Sequence, residues 1–356
     1  MKPRRYKFTV LIGTALEREI VDRTTVVAGG GSTMSRDVLV VGETLIDWVP
    51  ERSGPLETVD GFERRPGGAP ANVAVALARL ETPPLFWTRV GDDPFGRFLE
   101  GALAEYGVPD EFVERDADAK TTLAFVTHDE TGDREFTFYR DGTADTRLEP
   151  GRIDDATLAD CEWVHAGGVT LSSGPAREAT LDVLERAAAA GCTVSFDPNV
   201  RPELWADDET FARVVGDALA HVDVCFATVA ELEALGVGGE TPLASARRAI
   251  DAGGPHTVFV TRGAEGAVAV AADDAPWPAA AVDRPGVAVE TVDTTGAGDA
   301  FVAGAITALR DGRGLAAVVA FANAVAATAT TDAGAMAALP TREAATTLLE
   351  RESDSD

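Results

Sequence analysis

From Met34 onward the sequence alternates short apolar runs with alanine-rich stretches, and this alternation limits the fold more than any other feature. The runs predicted as strands include Val38–Val41, Pro84–Val90, Cys192–Phe196, Val222–Phe226 and Thr257–Val260. The stretches predicted as helices include Ala71–Leu80, Pro94–Tyr106, Arg177–Ala190, Phe211–Ala218, Thr241–Ala252 and Ala300–Leu309. Alternating strands and helices predict βαβ units, and therefore an α/β domain whose mainly parallel sheet is covered on both faces.

Two regions interrupt this alternation. Thr121–Thr127 and Arg134–Arg140 are β-type runs that flank the polar segment 128–133, a pattern that indicates a hairpin. The stretch Trp48–Arg65 is polar and interrupted by proline and glycine. We predict that these regions form a small sheet separate from the core, with segments at about 46–66 and 110–142. Such a lid would close over the strand ends, where α/β sheets bind ligands.

The first 33 residues differ in charge from the rest of the chain. Residues 1–33 carry six basic and three acidic side chains, whereas residues 34–356 carry 25 basic and 56 acidic ones. We therefore expect residues 1–33 to be an N-terminal extension, either disordered or preceding the natural start of the protein. The predicted folded domain covers residues 34–350, and an acidic tail follows at 351–356.

The overall charge excludes some classes of partner. The chain has 59 acidic and 31 basic residues, and its formal net charge is −28. Such a surface repels nucleic acids and anionic membranes, and no apolar run is long enough to span a bilayer. The acidic, lysine-poor composition resembles that of proteins from salt-accumulating halophiles. The three cysteines lie apart in apolar stretches (Cys161, Cys192, Cys225), a pattern typical of buried thiols in a reducing cytoplasm.

The segment Thr294–Asp299 is the strongest candidate for chemistry. It leads directly into an alanine-rich stretch, so Gly296, Ala297 and Gly298 are predicted at a helix N-terminus. Unpaired amides and the helix dipole favour an anion there, and glycine lets a phosphate approach closely. Asp299 would lie beside the phosphate and could take a proton from an attacking hydroxyl. The alternative is an ordinary helix start at which Asp299 stabilises the dipole.

A second group of residues has the chemistry of a sugar site. Gly67 and Gly68 lead through a proline into a predicted helix, with Asn72 in its first turn. The glycines would let a polyol contact the backbone, and Asn72 can both donate to and accept from hydroxyls. Asp47 follows the first strand, where its carboxylate could accept bonds from adjacent sugar hydroxyls. The alternatives are a tight strand-to-helix connection and a solvent-exposed loop aspartate.

Taken together, these motifs resemble those of the ribokinase-like (PfkB) carbohydrate kinases. The resemblance is carried by Gly42-Glu43…Asp47, Gly67-Gly68…Asn72, Gly91-Asp92-Asp93…Gly96 and Asp293–Asp299, and it extends from about Val38 to Pro340. It implies a three-layer α/β/α domain with a small β-sheet lid that binds ATP and a sugar. It also implies that Asp299 is the catalytic base and that the amides of Gly296–Asp299 form the anion hole.

The same resemblance implies roles for residues that composition and spacing do not single out. The implied nucleotide contacts are Thr261, Gly263, Gly266 and Asn323. Glu231 matches the acidic end of the family's Asn-x-x-Glu magnesium motif and would hold Mg²⁺ through water. Thr228 replaces the asparagine of that motif, but its hydroxyl could still bind a water of the magnesium shell. Asp293 and Thr295 match positions that help to hold a monovalent cation such as K⁺ in some members. Lid edges in this family often pair between subunits, which implies a homodimer.

The sequence restricts the identity of the sugar less than it restricts the type of reaction. Arg134–Arg140 and Asp197–Arg201 resemble the fructokinase branch, which makes fructose the expected substrate. Arg140 and Arg201 could instead clamp a carboxylate, as 2-keto-3-deoxygluconate would require, or both could lie in structural ion pairs. A non-catalytic sugar or nucleotide sensor on the same fold is the alternative from a different class. The presence of Asp299, Gly296 and Gly298 argues against it.

Overall fold

The computed structural model describes residues 37–52, 54–128, 134–172 and 174–353; the predicted extension at residues 1–33 lies outside this part. The strands are β1 Val38–Val41, β2 Leu45–Pro50, β3 Phe62–Gly67, β4 Leu85–Gly91, β5 Val113–Asp116, β6 Leu123–His128, β7 Arg134–Tyr139, β8 Trp163–Gly167, β9 Thr193–Asp197, β10 Val224–Thr228, β11 Thr257–Thr261, β12 Ala267–Ala271 and β13 Ala280–Arg284. The α-helices are α1 Ala69–Arg79, α2 Pro94–Glu105, α3 Asp155–Asp160, α4 Gly174–Ala190, α5 Asp208–Leu219, α6 Val229–Ala234, α7 Pro242–Asp251, α8 Ala297–Arg310, α9 Leu315–Ala329 and α10 Arg342–Ser353. The alternation predicted from the sequence is therefore present.

Nine strands form the central sheet, in the order β13-β12-β11-β10-β9-β8-β1-β4-β5. From β11 to β5 all neighbouring strands are parallel, and β12 and β13 pair antiparallel at one edge. The chain thus has the predicted three-layer α/β/α fold with a mainly parallel sheet. Parallel strands place their carboxyl ends at one edge of the sheet, and that edge carries the candidate site.

Alternation along the strands separates the core into two layers. In β1, Val38 and Val40 face the layer that contains α1, α8 and α9, whereas Leu39 and Val41 face the layer that contains α4 and α5. All four side chains are at most 1% exposed. A strand that is buried on both faces has to be continuously apolar, which is why these runs could be recognised in the sequence.

Four strands form a second sheet, in the order β3-β2-β6-β7, and we call this sheet the lid. β2 pairs antiparallel with β3 and parallel with β6, and β6 forms a hairpin with β7. The first predicted lid segment agrees with this arrangement, but the second begins too early at residue 110. Val113–Asp116 pairs with β4 and extends the central sheet, because its backbone continues the parallel ladder there.

The C-terminal boundary also differs from the prediction. Helix α10 continues to Ser353, so its last turn includes the start of the segment that we expected to be an acidic tail. The remainder of that segment lies outside the described residues. The predicted burial of the cysteines is confirmed, since Cys161, Cys192 and Cys225 are all buried. Within the described residues, no helix is long and apolar enough to cross a bilayer.

Candidate active site

A cavity of about 660 Å³ lies between the carboxyl ends of the central strands and the lid. Segments that follow β1, β8 and β9 form its floor, together with the starts of α1 and α8. The predicted site residues on its wall are Asp47, Gly68, Asn72, Arg201, Asp293, Thr295, Gly296 and Asp299. Residues that are far apart in the sequence, from both predicted glycine signatures, therefore meet at one cavity.

The start of α8 has the geometry expected of an anion hole. Gly296 caps the helix in the left-handed region, with a φ of 76°, where a side chain would be strained. A Cβ on Gly298 would meet nothing within 4 Å, so the space beside this first turn is open. The amide of Ala297 donates to the Thr294 carbonyl at 3.3 Å, so it is partly occupied. An anion would therefore bind mainly to the backbone amides of the residues after Ala297.

Asp299 lies in the first turn of α8 and contacts the start of α1. Asn72 Nδ2 donates to Asp299 Oδ2 at 2.7 Å, and this bond joins residues 227 positions apart in the chain. Burial raises the pKa of Asp299 to about 7, although the Asn72 bond and the charge of Arg201 lower it. A base with this pKa can accept a proton near neutral pH. Asn72 Oδ1 has no partner among the described residues, which leaves an acceptor at the cavity wall.

The glycines before α1 make room for neighbouring groups. A Cβ on Gly67 would lie 2.0 Å from Asp47 Oδ2, so this glycine makes room for the Asp47 carboxylate. Gly68 has a φ of 101°, and a Cβ there would lie 2.6 Å from the Glu43 carbonyl. Gly67 does not reach the cavity wall, whereas Gly68 does. The pair therefore sets the position of Asp47 and of α1, and its contact with a polyol stays a prediction.

The sequence analysis missed two carboxyl groups at the carboxyl ends of the central strands. Burial raises the pKa of Glu43 to about 7, and its Oε2 has no partner in the described structure. Asp197 is half-buried at the end of β9, and desolvation together with the charges of Glu231 and Asp299 raises its pKa well above the usual range. Glu43 follows β1 and Asp197 ends β9, and both stand in motifs that we had quoted, so position at the end of a strand was the available signal.

The two arginines predicted to clamp a carboxylate are not equivalent. Arg140 is 6% exposed and donates to Asp145 Oδ2 at 2.6 Å and to Ser172 Oγ at 2.7 Å. It does not line this cavity, so the structure gives no support to a contact between Arg140 and the substrate, which stays a prediction. Arg201 does line the cavity, and its guanidinium lies 5.3 Å from the centre of the Phe136 ring in the lid.

The predicted magnesium motif forms a helix cap. Thr228 Oγ1 accepts from the Glu231 amide at 3.2 Å, and Glu231 Oε2 accepts from the Thr228 amide at 2.7 Å. The other oxygen of Glu231 accepts from the Val200 amide at 2.9 Å. Both carboxylate oxygens are thus bonded within the protein. Mg²⁺ usually retains several waters and the phosphates of its substrate, so contact through water fits Glu231 better than direct coordination.

The four predicted nucleotide residues lie near one another but outside the cavity wall. Thr261 ends β11, and Gly263 and Gly266 lie in the turn that leads to β12. Gly266 packs closely against the segment 284–286, and Asn323 Nδ2 donates to the Pro285 carbonyl in the same segment at 2.9 Å. The turn after β11 and helix α9 therefore meet at this segment.

The two predicted cation ligands are brought together before α8. Asp293 Oδ1 accepts from the Thr295 amide at 2.9 Å and from its hydroxyl at 2.6 Å. Asp293 Oδ2 lies 3.7 Å from Arg65 Nη1, so the guanidinium partly compensates this carboxylate. Among the described residues there is no cluster of three or more acidic, cysteine or histidine side chains that could hold a metal. A cation here would need other oxygen ligands besides these side chains.

A buried carboxyl group next to an open helix start, under a lid that contributes one anion and one cation, fits a site that transfers a phosphoryl group to a hydroxyl. Comparison with known proteins supports this class. A family model described as pfkB family carbohydrate kinase matches residues 35–342. The chain is 37% identical over 311 residues to the fructokinase of Vibrio alginolyticus, with 86% of this chain and 96% of the relative covered.

Solved structures agree with the sequence match. The fold is similar to that of a fructokinase with bound ATP from Xylella fastidiosa, with a TM-score of 0.79, 32% identity, and 90% and 99% of the two chains covered. It is also similar to a double mutant of the Vibrio cholerae fructokinase bound to fructose, ADP and potassium ion, with a TM-score of 0.76, 33% identity, and 90% and 100% covered. The chain belongs to the pfkB family of carbohydrate kinases and is an ATP-dependent sugar phosphotransferase.

Proposed function

We propose that this kinase phosphorylates fructose and that Asp299 removes the proton from the attacking hydroxyl. The observation that carries the proposal is the 2.7 Å bond between Asn72 and Asp299, which fixes a base of raised pKa between the sugar-side and phosphate-side helix starts. Asp47 projects from the lid toward the same cavity and would accept bonds from sugar hydroxyls. The relatives named above are fructokinases, which supports the choice of sugar.

The floor would act mainly by positioning and electrostatics. Phosphoryl transfer requires the donor and acceptor oxygens to be held in line, with charge neutralised on the moving group. The first-turn amides of α8 would bind that group, and Asp299 would accept the proton as the new bond forms. Asn72 would orient the carboxylate, since its amide donates to the oxygen that faces it.

Metal ions and the nucleotide complete the proposal. ATP would arrive as its Mg²⁺ complex, with Glu231 contacting a water of the metal and Thr261, Gly263, Gly266 and Asn323 contacting the nucleotide. Asp293 and Thr295 would take part in a monovalent-cation site, in keeping with the potassium ion of the Vibrio cholerae structure. The lid supports the further proposal of a homodimer, because Tyr139 at the end of β7 is a large apolar side chain that is 59% exposed.

One observation favours a second substrate. Arg201 lies on the cavity wall, where it could contact the carboxylate of 2-keto-3-deoxygluconate. The second arginine of that clamp, Arg140, does not lie on the cavity wall. Arg140 instead forms an ion pair with Asp145. A single arginine that also stacks on Phe136 is weaker support for an acidic sugar than the pair would be.

An ATP-coupled screen would test the proposal. Fructose, 2-keto-3-deoxygluconate, ribose, glucose and fructose 1-phosphate would be compared in molar KCl, and phosphorus NMR would identify the product. We expect the highest kcat/KM for fructose. A higher value for 2-keto-3-deoxygluconate would replace fructose as the substrate. ADP formation that no sugar stimulates would contradict the whole proposal.

A further inference from the structure

Arg65 is a charged residue on the cavity wall that the sequence analysis did not single out. It lies in β3, directly opposite Asp47 in the antiparallel ladder with β2. Residues opposite each other in such a ladder project from the same face of the sheet. Both side chains accordingly line the cavity. The lid therefore presents an anion and a cation to the site from neighbouring strands.

The guanidinium of Arg65 lies at the junction of two loops beside the anion hole. Arg65 Nη1 is 3.7 Å from Asp293 Oδ2, and the two side chains are 26% and 18% exposed. The same Asp293 oxygen accepts from the Gly334 amide at 3.0 Å. A Cβ on Gly334 would lie 3.4 Å from Arg65 Nη1, so Arg65 packs directly against that loop.

Asp293 presents an electrostatic difficulty for a phosphoryl-transfer site. Its carboxylate lies three residues before the Gly296 cap, on the wall of the same cavity. A negative charge beside the anion hole opposes the binding of phosphate, and it does so more strongly in a cleft than in open water. A positive charge next to Asp293 would remove most of that opposition.

We propose that Arg65 is a positioning residue whose guanidinium compensates Asp293 from the lid and so prepares the anion hole for a phosphate. This inference rests on the proposed phosphoryl transfer at the start of α8. It predicts that Arg65 and a monovalent cation perform overlapping roles, since both would neutralise the same carboxylate. Loss of the guanidinium should leave Asp293 more attractive to K⁺ and the reaction more dependent on it.

The competing explanation is an ordinary surface ion pair. Arg65 Nη2 also lies 2.7 Å from Glu63 Oε2, whose side chain is 61% exposed, and exposed pairs contribute little. The two explanations differ in their predicted response to potassium. An ion pair with Glu63 alone has no reason to alter cation binding at Asp293.

The test compares Arg65→Gln with two controls in the full-length protein. Arg65→Lys keeps the positive charge. Arg52→Ala removes an exposed arginine in the loop between β2 and β3, where Arg52 pairs with Asp60. Each protein is assayed in KCl and in tetramethylammonium chloride at equal ionic strength, near 0.1 M, where screening acts over about 10 Å. The midpoint of thermal unfolding is measured in the same two salts without sugar or nucleotide.

We expect Arg65→Gln to increase the ratio of activity in K⁺ to activity in tetramethylammonium by about fivefold over the unsubstituted protein. Its unfolding midpoint should also rise specifically in KCl, because K⁺ that binds only the native state stabilises it. Arg65→Lys and Arg52→Ala should respond as the unsubstituted protein does. An unfolding midpoint of Arg65→Gln with no K⁺-specific rise would overturn the proposal. This measurement needs no turnover, so it separates failure of the inference from failure of the proposed reaction.

Discussion

The floor of the cleft and the lid differ in what holds their functional groups. On the floor, Glu43 and Asp299 are at most 8% exposed, and burial raises both pKa values to about 7. In the lid, Asp47 and Arg65 are only partly buried and project from a four-stranded sheet. If Asp299 is the base, the difference predicts a division of labour, in which burial on the floor tunes proton transfer while the lid contributes contacts to the sugar.

The contacts across the cleft show how the two regions meet. Arg65 extends from the lid to Asp293 in the body, and Arg201 extends from the body to Phe136 in the lid. Each link uses an arginine on the cavity wall, so both contacts place positive charge at the site of a chain whose formal net charge is −28. If the floor performs the chemistry, substitutions there should reduce kcat more than substitutions in the lid.

The largest effect is expected on the floor, from Asp299→Asn. Removing the base should lower kcat by about 10²–10⁴-fold, the usual contribution of general-base catalysis. The affinity for ATP should stay within about threefold, because the anion-hole amides remain in place. Steady-state kinetics and nucleotide titration would measure the two quantities. A near-normal kcat would remove Asp299 from the role of base.

The lid counterpart is Asp47→Ala. Hydrogen bonds to a charged group contribute about 1.5–3 kcal/mol each, so kcat/KM for the sugar should fall by roughly 10–100-fold. The loss should appear mainly in KM, since Asp47 would bind the sugar rather than the transferring group. The KM for ATP should change little. If kcat fell as far as in Asp299→Asn, the division between floor and lid would be wrong.

The floor was more predictable from the sequence than the lid. Helix α8 was predicted from Ala300 and begins at Ala297, because glycines followed by an alanine-rich stretch form a local signal. Once this helix start was predicted, Gly296, Ala297 and Gly298 could be proposed for the anion hole and Asp299 for the base. The bond between Asn72 and Asp299 could not be predicted from spacing, since the tertiary fold alone brings residues 227 positions apart into contact.

The sequence was least informative where long-range pairing decides the outcome. Val113–Asp116 was assigned to the lid but pairs with β4. The sequence of a short strand does not show which sheet the strand will join. Arg140 was considered for the substrate, but the pairing of this arginine with Asp145 depends on a buried polar network that also includes Ser172. Strands β8, β12 and β13 were not predicted either.

The raised pKa of Asp299 provides the next test of the floor. A base with a pKa of about 7 is protonated below neutral pH. Therefore kcat/KM should fall about tenfold per pH unit below 7 and level off above it. Glu43→Gln is the matched control, because Glu43 also has a pKa of about 7. If Asp299 is the base, the inflection should remain in that variant. Its disappearance would assign the titration to Glu43 instead.

The raised pKa of Asp299 also predicts how the stability of the protein depends on pH. A carboxyl whose pKa is raised on folding holds its proton more tightly in the native state, so its contribution to the free energy of unfolding falls as pH rises from about 4 to 7. Asp299→Asn should therefore be more stable than the unsubstituted protein at pH 8, by up to a few kcal/mol, and similar at pH 4. Denaturant unfolding would measure this. Asp273→Asn, at an exposed turn, should show no such difference.

The smallest effect is expected at Thr228, which supports the floor without facing the cavity. Its hydroxyl caps α6 and also donates to Glu231 Oε2 at 2.9 Å. Thr228→Ala should lower the free energy of unfolding by about 1 kcal/mol, the usual loss on removing a cap. Thr228→Asn should retain most of the stability, because asparagine is also a good cap. If Thr228→Ala lowered kcat 100-fold without loss of stability, Thr228 would act in catalysis rather than as structural support of the floor.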